Sequence, residues 1–111
     1  MIAVLALLLL RETVVAQVYY GKLDGAQKPA EVVAKTVFAE IPEYRKIKEK
    51  GLTQDDPEYW ILLGKANDKF YAAVRKVGEL NKFDVIVEKG TAKFDTTPPD
   101  VTQKVIAALL P

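Results

Sequence analysis

The chain has 111 residues, of which 50% are hydrophobic and 28% charged, and it contains neither histidine nor cysteine. This length and composition are typical of one folded domain. The 16 basic and 15 acidic side chains nearly cancel, and a net charge of +1 provides no overall field that would attract nucleic acid or an anionic membrane. The lack of cysteine excludes disulfides, a thiol nucleophile and cysteine-based zinc sites.

The chain begins with a wholly apolar run, residues 1–10 (MIAVLALLLL). As a helix this run would span about 15 Å, roughly half of a bilayer core, so a transmembrane span is not expected. It has the length of a signal-peptide core, and Val14 and Ala16 are small residues at the positions that signal peptidase reads. We interpret residues 1–16 as a signal peptide or N-terminal anchor. The alternative is a buried first helix or strand, because no Lys or Arg precedes the run.

The next segments predict a strand and then a helix. Thr13–Tyr20 (TVVAQVYY) is rich in β-branched and aromatic residues and predicts a strand, half of which would be lost if cleavage followed residue 16. Pro29 suits the first turn of a helix, and from there apolar residues recur every three or four positions. They are Val33, Val37, Ile41, Tyr44 and Ile47. Pro42 predicts a kink or a fresh start, and Gly51 a C-terminal stop.

A second helix is predicted from Pro57, with Asp56 as its N-cap. Its apolar positions alternate steps of four and three over about three heptads, which favours packing along another helix. They are Tyr59, Leu63, Ala66, Phe70, Ala73, Val77 and Leu80. A turn at residues 51–55 would fold the two helices back as an antiparallel hairpin covering about residues 30–82.

The last third of the chain predicts two short strands and a helix. Phe83–Val87 and Thr91–Phe94 are strand patterns on either side of a turn at Gly90. Asp100 and Gln103 have the form of a capping box that begins a final helix. One face of that helix contains Val101, Val105, Ala108 and Leu109. The predicted fold class is α+β: a small β body (N-terminal strand plus C-terminal hairpin) with an antiparallel helical hairpin and a short C-terminal helix.

Two segments of the chain, together with the order of the predicted elements, resemble the OmpH/Skp family of periplasmic chaperones. FDVIVEKGTAKFD (residues 83–95) followed by DVTQKVIAALL (100–110) is similar to the family's C-terminal strand, hairpin and helix start. VFAEIPEYRKI (37–47) is similar to the segment that leads into the family's first arm helix. Only residues 45–82 lie between the two motifs, so the arms would have about 15–25 residues each, roughly 25–35 Å, and are short for the family.

The resemblance implies a single Skp-like domain over residues 17–111 that is located in the periplasm or cell envelope. It also implies a homo-oligomer, in the family a trimer. The implied function is that of an ATP-independent holdase-type chaperone or envelope interaction protein, which binds unfolded or outer-membrane-destined polypeptides. The alternative function is a structural coiled-coil hairpin that mediates self-association or docks to a folded partner.

Candidate contacts for such polypeptides lie on the predicted hairpin. They are Arg45, Lys46, Lys48 and Lys50 at its basic end, and the adjacent Tyr59 and Trp60. The basic residues suit an acidic client or a weak contact with an anionic membrane, or simply complement the dipole of their own helix. Because one of the two aromatic residues lies on the apolar seam, the other is expected either at the surface or packed against the hairpin or a neighbouring subunit.

No sequence pattern indicates catalysis. Asp55, Asp56 and Glu58 lack the ligand spacing of a calcium loop and are interpreted as helix-capping residues, and Asp84 as a structural residue. The sequence has no Gly-rich phosphate loop and no Ser/His pair. We therefore expect no enzymatic activity, no cofactor, no metal site and no nucleic-acid partner.

Overall fold

The computed structural model describes residues 16–109. The strands are β1 (Val18–Gly21), β2 (Pro29–Val32) and β3 (Val85–Glu88), and the helices are α1 (Ala34–Phe38), α2 (Pro42–Glu49), α3 (Pro57–Asn81) and α4 (Thr102–Ala108). Within these residues the fold is α+β, with a three-stranded mixed sheet and four helices, of which α3 is by far the longest. The interpretation of residues 1–15, the first residues of the predicted N-terminal strand among them, lies outside the described residues.

The sheet is built around β3, in the order β1-β3-β2. Val85, Ile86 and Val87 are fully buried, as expected for a β-branched strand with a neighbour on each side. β1 pairs with β3 antiparallel, whereas β2 pairs with it parallel. The outer side of β2 is covered by residues 99–101, since the Glu31 amide donates to the Pro99 carbonyl (2.9 Å) and the Val101 amide donates to the Glu31 carbonyl (2.7 Å).

A bulge in β1 turns two tyrosines towards α3. The register of β1 on β3 shifts between Val18 and Tyr20, which makes Tyr19 the extra residue. The Tyr19 ring lies edge-on to Phe70 of α3 at 5.0 Å between ring centroids. The Tyr20 ring lies directly over Gly78, where any larger residue would meet it. β1 is therefore fixed to the long helix as well as to β3.

The prediction that a helix begins at Pro29 is wrong, because residues 29–32 form β2. Proline is tolerated as the first residue of a strand, and the parallel pairing with β3 buries Ala30 and Val32 completely. The helical hairpin therefore does not start near residue 30. The predicted fresh start at Pro42 is confirmed, since Ile41 is extended (φ −90°, ψ 121°) and Pro42 is the first residue of α2.

The predicted strand at Thr91–Phe94 is also wrong, and so is the C-terminal β-hairpin to which it belongs. β3 already has β1 on one side and β2 on the other, so a returning strand has no side of β3 to pair with. Instead, the Thr91 hydroxyl donates to the Glu88 carbonyl (2.7 Å) and accepts from the Gln17 amide (3.2 Å). These bonds hold the turn after β3 against the start of β1.

α3 buries a broader face than the predicted heptad seam. Ala66, Phe70, Ala73 and Val77 are buried as predicted, but Leu62 and Val74 are buried too. Leu80, assigned to the seam, is 76% exposed. The reason is that α3 has several neighbours, with α2 along its first half and the sheet and α4 along its second half. α2 and α3 run antiparallel, as two ion pairs between them show: Lys50–Glu58 (2.7 Å) and Glu43–Lys69 (2.8 Å).

α4 is tied to the sheet at its first residue. The Asp100 carboxylate accepts from the Thr102 amide (2.9 Å) and hydroxyl (2.5 Å), and these bonds hold the pKa of Asp100 below its ordinary value. The Thr102 hydroxyl in turn accepts from the Val33 amide (2.9 Å), at the end of β2. Asp100 thus binds a first-turn amide as predicted, but the predicted capping box is not formed, because Val101 occupies the N-cap position and Gln103 does not reach back to it. Val105 is fully buried on the apolar face.

Candidate functional site

The first turns of α3 carry an exposed apolar surface, which we call the tip patch: Tyr59, Trp60 and Ile61. Trp60 is 54% exposed and Ile61 is 58% exposed, whereas Tyr59 is half-buried. The Tyr59 and Trp60 rings lie edge-to-face with centroids 5.0 Å apart. The sequence left two positions open for the aromatic residue off the seam, at the surface or packed against a neighbour, and in the single chain Trp60 lies at the surface. The exposure of Ile61 was not predicted, although its position off the apolar seam of α3 was a signal for it.

The Trp60 side chain is held in place by the loop before α3. Its indole Nε1 donates to the Gln54 carbonyl at 2.8 Å, so the polar atom is satisfied and the apolar ring stays at the surface. The loop itself is closed by Asp56, whose carboxylate accepts from the Thr53 amide at 2.8 Å. The prediction that this carboxylate caps α3 is wrong, because it bonds backwards to the loop, although Asp56 does occupy the N-cap position. A fixed side chain loses little entropy on binding a partner.

Two of the four predicted basic contacts are paired within the chain. The Arg45 guanidinium binds the Glu40 carboxylate (2.8 Å) and the Ala39 carbonyl (2.8 Å). Lys50 pairs with Glu58, the residue directly before the tip patch. Both pairs are about half exposed, so each contributes little to stability. Of the two pairs, Lys50–Glu58 adjoins the tip patch and cancels charge there, whereas Arg45–Glu40 lies towards the other end of α2.

The other two basic residues lie on the exposed face of α2. The Lys48 ammonium lies over the Tyr44 ring at 5.3 Å from its centroid. Lys46 is exposed and contributes to the lowered pKa of Glu43, for which the hydrogen bond from Lys69 is the largest cause. The four cations therefore do not converge on one point with the aromatic pair. The tip is an apolar surface with compensated charge rather than a basic patch.

A second surface lies where the outer side of β1 meets α3, and we call it the edge groove. It has a volume of about 480 Å³. Its lining is Gly21 together with the side chains of Tyr19, Tyr20, Asp68, Tyr71, Ala72 and Arg75. Tyr71 is 47% exposed, and its ring packs edge-on to Phe70 at 5.4 Å. The sequence did not predict this groove, because it depends on β1 lying across α3.

Asp84 has a structural role, as the sequence predicted. Its carboxylate accepts from the Gln27 amide (2.7 Å) and the Lys28 amide (2.9 Å), which lowers the pKa of Asp84. Its own amide donates to the Lys28 carbonyl (2.9 Å). These three bonds fasten the chain just before β2 to the residue just before β3. They fix the parallel register of the two strands.

Over residues 16–109, no three carboxylate, histidine or cysteine side chains lie close enough together to hold a metal ion. The helices of this part of the chain are all too short or too polar to cross a bilayer. Comparisons with known protein families, curated proteins and solved structures found no match to the chain. The resemblance to the OmpH/Skp chaperones thus stays a prediction.

Proposed function

We propose that the chain is an ATP-independent holdase-type chaperone of the periplasm or cell envelope, which binds unfolded or outer-membrane-destined polypeptides. The observation that carries the proposal is the tip patch, where Trp60 and Ile61 expose more than half of their surface beside each other. Exposed aromatic and aliphatic side chains bind apolar segments of other chains through burial of nonpolar area. The charges of Lys50 and Glu58 beside the patch cancel each other, so binding would depend mainly on the apolar side chains.

The proposal includes a Skp-like body and a homo-oligomer, a trimer by the resemblance. The described sheet lacks the C-terminal hairpin that the resemblance implies, so this part of the proposal is supported only by the order of β1, the long helix α3, β3 and the short helix α4. The helical hairpin extends only over α2 and the first half of α3, so a single patch is small. Several patches in one oligomer would bind different segments of the same client, and this multivalency strengthens weak contacts. Leu62 and Val74 lie off the predicted heptad seam of α3, but they need no cover from another subunit, because the chain itself buries them.

An aggregation assay tests the proposal. An unfolded outer-membrane β-barrel protein is diluted from urea with and without the chain, and light scattering is followed. We expect near-stoichiometric suppression by the wild type and by Leu80→Ser, and loss of suppression in Trp60→Ser. Leu80 is the matched control because it is an exposed apolar residue at the far end of the same helix. Failure of the wild type to suppress aggregation, or equal loss in both variants, would contradict the proposal.

A second candidate is a structural hairpin module that docks to one folded partner. The bond from the Trp60 indole to the Gln54 carbonyl favours it, because a preformed, rigid aromatic surface suits a partner of fixed shape. The same assay separates the two candidates when it is repeated with several unrelated unfolded proteins. A holdase suppresses the aggregation of most of them, whereas a docking module affects none.

A further inference from the structure

We propose that the edge groove is a second polypeptide-binding site, in which an extended segment of an unfolded client adds as a strand to β1 and places one large apolar side chain in the groove. The proposal depends on the proposed function in one respect only, namely that the bound segment comes from an unfolded client. The site itself lies on a different surface from the tip patch and uses a different kind of contact. The tip patch offers side chains, whereas β1 offers main-chain donors and acceptors.

The first support is the position of β1 in the sheet. β3 is paired on both sides, and the outer side of β2 is covered by residues 99–101. In the described part of the chain, the outer side of β1 is the sheet edge to which no strand or bridge is paired. An unpaired edge presents a row of backbone groups that another extended chain satisfies, and peptide recognition by strand addition uses this geometry.

The second support is the groove directly beside that edge. Side chains of a strand alternate between the two faces of a sheet, so an added strand would turn every second residue towards α3. At that place α3 offers the small residue Ala72 between the half-exposed ring of Tyr71 and the polar ends of Asp68 and Arg75. The volume of about 480 Å³ is large enough for one aromatic or long aliphatic side chain.

The lining of the groove indicates the chemistry of the segment. Asp68 and Arg75 carry opposite charges two turns apart on α3, so the groove favours neither an acidic nor a basic segment. The other face of the added strand would point to solvent and would carry polar residues. The segment that fits therefore alternates apolar and polar residues, which is the pattern of strands that form a membrane β-barrel.

A second copy of the chain fits this site poorly. If two β1 strands paired edge to edge, each would present its own Tyr19 and Tyr20 on the helix-covered face. Those side chains are already engaged, because the Tyr19 hydroxyl donates to the Glu88 carboxylate at 2.8 Å and the Tyr20 ring covers Gly78. A second copy would thus pair with the backbone groups of the edge but would place no apolar side chain in the groove. A client segment has a free side chain for it.

The test uses the full chain and a fluorescein-labelled peptide of about ten residues that alternates valine or phenylalanine with threonine. Binding is followed by fluorescence anisotropy. Ala72→Trp fills the groove from an exposed helical position, and Ala107→Trp is the matched control on the exposed side of α4. We expect Ala72→Trp to weaken binding about tenfold or more, and Ala107→Trp to leave it unchanged. A peptide with N-methyl groups on every second amide should not bind, because it lacks the strand donors.

Hydrogen exchange gives an independent readout. Those amides of residues 18–21 that point away from β3 should become protected when the peptide is added and should exchange faster without it, whereas the amides that point towards β3 are already paired. The proposal is overturned if Ala72→Trp binds the peptide as the wild type does, or if the N-methylated peptide binds equally well. It is also overturned if Ala72→Trp dissociates an oligomer of the wild type, which would assign the edge to a second copy. Protection of these amides in a peptide-free monomer would assign it to the chain's own N-terminal residues.

These outcomes are separate from the test of the tip patch. If aggregation is suppressed by the wild type and by Ala72→Trp but not by Trp60→Ser, the holdase function stands and the second site does not. If the peptide binds but the aggregation of unfolded proteins is unaffected, the edge groove is a peptide site of a protein that is not a holdase.

Discussion

The contact between Gly78 and Tyr20 is testable with two glycine-to-alanine substitutions in the same helix. Both Gly64 and Gly78 lie within α3, where alanine is preferred over glycine by about 1 kcal/mol. A Cβ atom added at Gly64 would meet nothing within 4 Å. One added at Gly78 would lie 2.6 and 2.7 Å from two atoms of the Tyr20 ring, distances at which the ring must move.

The expected free energies follow from these two environments. Gly64→Ala should stabilise the chain by about 1 kcal/mol, which raises Tm by about 4 °C. Gly78→Ala gains the same helix preference but must displace Tyr20, and forcing extra atoms into a packed site typically costs about 1–3 kcal/mol. The difference between the two variants isolates this steric cost, because the gain in helix preference is common to both. Gly78→Ala should therefore range from neutral to about 2 kcal/mol less stable than the wild type.

Urea denaturation followed by circular dichroism measures both variants against the wild type. The double variant Gly78→Ala/Tyr20→Ala serves as the control, since removal of the ring should abolish the extra cost at Gly78. Equal stabilisation by Gly64→Ala and Gly78→Ala would refute the reasoning. It would mean that the Tyr20 ring does not lie on α3, and the position of β1 beside the edge groove would be wrong as well.

Three further predictions concern α4, acid stability and alkaline stability. Val105→Asp places a carboxylate at a fully buried position and should lower the free energy of unfolding by at least about 3 kcal/mol. Circular dichroism should then show the loss of both sheet and helix. A variant as stable as the wild type would mean that α4 is not needed for the fold. Because the pKa of Asp84 is lowered in the folded chain, its contribution to stability is complete above the pKa of the unfolded chain, about 4, and is lost as the pH falls through the folded pKa. Asp84→Asn should therefore make stability fall less steeply in acid. An unchanged acid limb of the pH–stability curve would contradict this. Burial, and then the hydrogen bond and charge of Glu88, raise the pKa of Tyr19, so its contribution is complete below about pH 10 and is lost as the pH rises through the folded value. Tyr19→Phe should cost about 1 kcal/mol at neutral pH and reduce the alkaline loss, and equal alkaline curves would exclude this titration.

The predictions that succeeded depend on neighbours in sequence. Pro42 starts a new helix because proline lacks the amide that a helix interior needs, and this holds in any tertiary context. Pro57 likewise opens α3, and the buried run Val85–Val87 forms a strand. Helix periodicity also placed Tyr59 on the apolar seam and left Trp60 off it, and Tyr59 is the more buried of the two.

The predictions that failed depend on which distant segment pairs with an element or packs against it. Pro29–Val32 reads as the beginning of an apolar helical stripe, yet it forms β2 because β3 offers it a parallel partner and Asp84 fixes the register. Thr91–Phe94 reads as a strand, yet both sides of β3 are already paired. Leu80 continues the heptad of α3, yet the packing of that helix leaves it exposed.

By itself the sequence determined the α+β class and the long helix α3, because local propensity and periodicity are properties of a single segment. The tertiary structure alone decided the strand order β1-β3-β2, the open edge of β1 and the groove beside it. Strand pairing is a competition among distant segments for the two sides of one central strand. Local pattern does not determine which segments win that competition, and the edge groove exists only because Val18–Gly21 takes one side of β3 and lies across α3.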